Sequence, residues 1–266
     1  MKFDVAGRSV YAYTGGKPFD RTLPCIVFIH GALHDHSVWN LLARWFANHG
    51  HAVLAIDQPG HGRSPGPPLA SVEALADATL ALLDAAGLAQ AALVGHSMGS
   101  LIALEAAARA PERITRLVLL GAAVPMKVSA ALLATAAENS LLAIDQVNAF
   151  SHSGLAGKPA YPGPGNWLHG GNRALMLKVQ AGCEAVNLFA HDFALCDAYA
   201  GGLDAVAKVR CASHLVLGSL DQMVPPSASR AVATALNATT VEVPCGHALM
   251  QEAPDATLQA LRDALR

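Results

Sequence analysis

Apolar residues fall in short unbroken runs, separated by longer segments in which they recur every three or four positions. Cys25 to Ile29 (CIVFI), Ala52 to Ile56, Ala91 to Val94 and Leu117 to Leu120 are runs of the first kind, the pattern of strands covered on both faces. Val38 to His49, Val72 to Ala86 and Met98 to Ala110 have the spacing of helices. Strand and helix alternate, which specifies a parallel sheet with helices on both faces. Ahead of this region, Phe3 to Val5 and Ser9 to Tyr13 suit a starting hairpin.

The rhythm stops at about Val124. As far as Gly202 the chain reads as helical pieces broken by a Pro/Gly-rich stretch, KPAYPGPGNW, and strands resume at His214 to Leu217 and Thr240 to Val243. Helices are expected near Ser227 to Leu236 and Pro254 to Leu265. The expected fold class is therefore α/β: eight strands, mostly parallel, helices on both faces, and a helical cap inserted after the sixth strand. Residues 1–123 and 203–266 would form the core domain and 124–202 the cap. No internal repeat is present.

Composition narrows the function. The 266 residues are 53% hydrophobic and 14% charged, with 18 basic against 20 acidic side chains, so no basic excess exists to neutralise phosphates and a nucleic-acid partner is not expected. Asp4, Arg8 and Lys17 interrupt the N-terminal stretch, unlike a secretory signal, and no apolar run reaches the roughly 20 residues of a membrane span. Five scattered cysteines without a CxxC pair suit a reducing compartment. A cytoplasmic monomer or homodimer acting on a small-molecule substrate away from membranes is the expectation.

Candidate chemistry begins at Gly95-His96-Ser97-Met98-Gly99, a G-x-S-x-G sequence where a buried strand runs into a helix. A serine held on so sharp a turn crowds its neighbours, and glycine on either side lets strand and helix pass. A serine hydroxyl is a weak nucleophile and needs a base, which in turn needs an orienting acid. Asp221 follows the strand HLVLG, and His247 follows the strand TTVEV. Both therefore stand at carboxyl ends of parallel strands, the edge where open α/β sheets carry their sites, in the order Ser97, Asp221, His247.

With His30-Gly31-Ala32-Leu33 and Asp57-Gln58-Pro59-Gly60-His61-Gly62-Arg63-Ser64 added to these, the chain resembles the α/β-hydrolase fold enzymes over almost its whole length. The resemblance implies that the backbone N–H groups of Ala32 and Met98 form the oxyanion hole. It also implies a serine hydrolase that cleaves a small, largely uncharged ester without metal or organic cofactor. A serine nucleophile sets the chain apart from dehalogenases and epoxide hydrolases of this fold, which use Asp. The run from His30 to Trp39 is similar to plant methyl esterases and hydroxynitrile lyases, and Ala248 stands where the lyases carry Lys. The alternatives are a carbon–carbon bond hydrolase, with a cap arginine such as Arg173 gripping a carboxylate, or a ligand-binding protein with a slow triad.

Other polar residues have simpler readings. His30 is expected to shape the oxyanion loop, His61 to belong to a structural turn, and His34-Asp35-His36 to line the pocket mouth without holding a metal. Leu33, His34, His96, Trp167 and His191 are the candidate substrate contacts, because a cap closing over a sheet edge makes the pocket.

Overall fold

The computed structural model describes residues 1–158, 160–184 and 186–266. Pro159, within the Pro/Gly-rich stretch, and Ala185, within the expected cap, lie outside the described residues. Eight strands form one sheet: β1 (Lys2–Val5), β2 (Arg8–Tyr13), β3 (Cys25–Ile29), β4 (Ala52–Ile56), β5 (Ala91–His96), β6 (Ile114–Leu120), β7 (Ala212–Gly218) and β8 (Thr239–Val243). They lie in the order β1-β2-β4-β3-β5-β6-β7-β8. β1 pairs with β2 and β2 with β4 in antiparallel fashion, and all other pairings are parallel.

The continuous apolar runs are explained by the two faces of this sheet. Val27, Ile29, Leu54, Leu93, Leu117 and Leu215 pack on one side, against α2 (Val72–Ala85) and α3 (Met98–Arg109). Ile26, Phe28, Val53, Val94, Val118 and Val216 pack on the other, against α1 (Asn40–Ala47) and the C-terminal helix, Pro254–Ala264. Successive residues of a strand point to opposite faces, so each needs an apolar position at every residue. Local signals fix the helix starts: the Ser71 side chain accepts the N–H of Ala74, and prolines occupy the first turn of the helices Pro226–Ala235 and Pro254–Ala264.

Between β6 and β7 come four helices, α4 (Ala130–Glu138), α5 (Ser140–Phe150), α6 (Leu168–Ala181) and α7 (Leu188–Ala198), followed by the short α8 (Gly202–Val206). α4 to α7 share an apolar cluster of their own, built on Ala136, Ile144, Val147, Met176, Val179, Phe189 and Phe193. Leu33 of the β3–α1 loop also belongs to it. The helices α9 (Pro226–Ala235), α10 (Leu249–Glu252) and α11 (Pro254–Ala264) complete the chain. Among the described residues no helix is long and apolar enough to cross a membrane.

Candidate active site

Ser97 sits between β5 and α3 with φ 53° and ψ −119°, a left-handed conformation that costs a non-glycine residue about 1–3 kcal/mol. Its neighbours allow it. A side chain at Gly95 would overlap the carbonyl of Gly99, and one at Gly99 would overlap the carbonyl of Ile29 in β3, so only glycine lets α3 leave the sheet this steeply. The Ser97 N–H is held by Leu120 O at 2.9 Å, which ties the turn to the end of β6.

His247 and Asp221 come from the loops after β8 and β7. Nδ1 of His247 lies 2.7 Å from Oδ2 of Asp221, and both side chains are almost wholly buried. The other oxygen of Asp221 accepts the N–H groups of Met223 and Val224, each at 2.8 Å, so the carboxylate is fixed by its own loop before it meets the imidazole. As the acceptor, Asp221 places the His247 proton on Nδ1 and leaves Nε2 free to take another.

Ser97 and His247 open on one cavity of about 500 Å³. Met126, Val128, Leu132, Val147, Phe193 and Met223 supply its apolar walls, and Ala32 lies on its margin. Among the described residues lining it, Lys127 alone bears a full charge, and its ammonium donates to Asp197 O at 2.7 Å. Cys196 also reaches the wall, where burial pushes its thiol pKa up, so it stays a thiol. Among the described residues the N–H groups of Ala32 and Met98 have no protein acceptor. Met98 opens α3, where unsatisfied donors and the helix dipole favour negative charge.

Surrounding histidines hold the loops. His30 donates from Nδ1 to Gly31 O at 2.8 Å and accepts the Gln58 N–H on Nε2, and burial pushes its pKa down to about 4. His96 Nε2 donates to the carbonyl of His247 at 2.8 Å and is likewise kept neutral by burial and by the nearby His247. Glu252, missed by sequence reasoning, is buried and bolts the His247 loop to the insertion. One of its oxygens accepts the Gly246 N–H at 3.1 Å, and the other accepts the Ser153 hydroxyl at 2.6 Å.

The expected substrate contacts are placed elsewhere. Leu33 is fully buried in the cluster of the insertion, and the lining of the cavity does not include it. Trp167 is 62% exposed and lies in a separate surface groove. His191 turns away to Leu69 O at 2.9 Å. His34 and His96 sit behind His247, in a chamber of about 20 Å³ with Asn172 and Gln251, and outside the main cavity. Arg173 pairs with Asp145 at 2.5 Å on the outer surface, so the carboxylate grip that a carbon–carbon hydrolase would draw from it is directed away from the cavity. Asp35, His36 and Asp57 bring three ligand atoms within 4.8 Å of one another. Their atoms are engaged in hydrogen bonds, Asp35 with Ser37 and Asp57 with His36 and the Arg63 N–H, and Lys178 lies 3.4 Å from Asp35.

The buried neutral histidines make stability sensitive to acid. In His30, His34, His96 and His152 the folded pKa is lowered, so below about pH 6.5 the unfolded chain binds protons that the folded one refuses. Their contribution is lost as pH falls from 6.5 toward the folded values, on the order of 3 kcal/mol from His30 alone by pH 4. His61, with a raised pKa, acts in the opposite sense. The urea midpoint is expected to drop clearly between pH 7 and pH 5 at constant ionic strength; an unchanged midpoint contradicts this account.

A serine on a strained strand-to-helix turn, reached by the loops after the last two strands, β7 and β8, of a mostly parallel eight-stranded sheet, defines the α/β-hydrolase class. The alpha/beta hydrolase family profile matches residues 26–260, and the chain belongs to that family. The sn-1-specific diacylglycerol lipase ABHD11 of Mus musculus is 42% identical over 101 residues, 38% of this chain and 33% of that protein. Esterase YbfF of Escherichia coli (strain K12) is 34% identical over 93 residues, 35% of this chain and 36% of that protein. The chain thus matches about a third of the length of these curated relatives. Among solved structures, the enol-lactonase from Burkholderia xenovorans LB400 aligns with a TM-score of 0.85 at 22% identity, covering 100% of this chain and 99% of its own. Est816, described as an N-acyl homoserine lactone degrading enzyme, aligns at 0.82 with 21% identity, over 99% of each chain. At these identities the likeness is one of fold.

Proposed function

We propose that the protein is a serine hydrolase that cleaves a small, largely uncharged ester or related acyl compound through an acyl-enzyme. The observation that carries this reading is the convergence of Ser97 and the Asp221-oriented His247 on one mainly apolar cavity. The lipase and esterase activities in the names of the relatives point the same way.

In this reading His247 Nε2 takes the Ser97 proton as Oγ attacks the carbonyl carbon, and Asp221 stabilises the resulting imidazolium. The carbonyl oxygen becomes an oxyanion facing the N–H groups of Ala32 and Met98, each such donor being worth about 3–4 kcal/mol in the transition state. Collapse expels the alcohol, which leaves with the proton from His247. Water then adds to the acyl group with His247 as base, the Ser97 ester bond breaks, and the acid departs.

The test is hydrolysis of p-nitrophenyl esters from acetate to octanoate. Turnover is expected to vary with chain length, rising while the acyl chain still gains apolar contact and falling once it outgrows the cavity. No turnover across the series by folded protein contradicts the esterase reading.

A further inference from the structure

The geometry points to Asp192, a carboxylate on α7 of the insertion, as the positioning residue of the oxyanion loop, acting through the backbone of Leu33. The inference rests on the serine-hydrolase reading above.

Two peptide planes meet at Ala32, and a planar trans peptide that is held by either its C=O or its N–H is fixed as a unit. The first plane carries the Ala32 N–H, and His30 holds it at Gly31 O. The second is held at Ala32 O by His34 and at the Leu33 N–H by Asp192 Oδ2, 2.8 Å away. Leu33 has φ 53°, a left-handed conformation that is unfavourable for a residue with a side chain and persists only where the surroundings impose it. The insertion imposes it twice, by enclosing the Leu33 side chain and by accepting its N–H.

Asp192 is itself anchored from the core. The oxygen that receives Leu33 also receives Nε2 of His61 at 2.8 Å, and both side chains are 1% exposed. Burial opposes charge on each, yet their pairing outweighs it, holding His61 above its ordinary pKa and Asp192 below its own, the signature of a charge-assisted bond. Further titratable neighbours are His30, whose ring lies 5.1 Å from that of His61, Asp57 on the core side, His191 on α7, and the thiols of Cys183 and Cys196. Sequence reasoning gave His61 a structural turn and Asp192 no role. The partners of Asp192 stand 131 and 159 positions away along the chain.

Asp192→Ala and Asp192→Asn are compared in kcat, KM and affinity for two ketones of matched chain length. In the trifluoromethyl ketone Ser97 Oγ adds to the carbonyl carbon, its proton passes to His247 and the carbonyl oxygen becomes an oxyanion; the plain methyl ketone stays unreacted and reports on the cavity alone. Asp192→Ala is expected to lower kcat about 10- to 100-fold, with KM and methyl ketone affinity unchanged within about twofold, and to weaken the trifluoromethyl ketone by the same factor as kcat. Asn, which keeps a carbonyl oxygen for Leu33, restores most of both. If alanine leaves the chain unfolded, Asp192→Leu, which refills the volume and still offers no acceptor, carries the same expectation. A folded variant without the acceptor that keeps wild-type kcat and trifluoromethyl ketone affinity overturns the proposal. A loss shared by KM and the methyl ketone also overturns it, because Asp192 then acts on cavity shape. Wild-type protein that neither turns over esters nor captures the trifluoromethyl ketone instead removes the serine-hydrolase reading, and this inference with it.

Discussion

Ser97→Ala is expected to lower kcat for the best ester of the series by on the order of 10⁶ and to leave the urea midpoint where it was. The magnitude follows from removing the nucleophile of a set that acts as a unit, since the base and acid then have nothing to activate. The fold is spared because Ser97 Oγ makes no hydrogen bond among the described residues. The left-handed turn is imposed by its surroundings: the N–H held by Leu120 and the two glycines that make room for it. Alanine bears the same φ as serine does. Steady-state rates with the variant, purified separately from wild type to exclude contamination, check the figure. A loss of tenfold or less sinks Ser97 as nucleophile.

Asp221→Asn is expected to lower kcat by about 10⁴ with little change in structure. Oδ1 of Asp221 already serves the N–H groups of Met223 and Val224, and the amide oxygen of Asn can keep those bonds. The amide NH2 then faces Nδ1 of His247, 2.7 Å from the atom it replaces. The imidazole must accept there, so its proton moves to Nε2, and the ring presents a donor where Ser97 needs an acceptor. KM should hardly move, because Asp221 is not among the residues lining the cavity. A variant with kcat within tenfold of wild type shows that the acid is elsewhere.

Most of the core is legible in the sequence because its signals are local. CIVFI is unbroken because alternate side chains enter two different cores, and β4, buried at every residue, follows the same rule. β6 begins at Ile114, three residues before its apolar run, because the polar Thr115 and Arg116 extend the strand without altering the burial pattern that announces it. The short helices α8 and α10 escape notice, being five and four residues long with too few turns to show a period. The placement of Ser97, Asp221 and His247 at one sheet edge is legible because each stands just beyond a strand, where chain direction alone sets the position.

Side-chain direction in the insertion follows no such rule. Trp167 and His191 are plausible cavity residues by type, yet packing of α6 and α7 turns one outward and sends the other to Leu69 O. The walls come instead from residues such as Leu132, Val147 and Phe193, which look like ordinary helix apolar positions. Asp192 and Glu252 are hidden for a different reason. Each is a single acid that holds a partner far along the chain, Leu33 for Asp192 and Ser153 for Glu252, and only the fold brings them together.

Covalent acylation of Ser97 is checked by active-site labelling. Wild-type protein is treated with a p-nitrophenyl alkylphosphonate ester, a mimic of the tetrahedral intermediate, and analysed by intact mass and peptide mapping. One adduct per chain is expected, on Ser97, formed in step with the loss of esterase activity and absent from Ser97→Ala. Inactivation with the adduct on another residue, or full esterase activity in protein labelled stoichiometrically at Ser97, contradicts it.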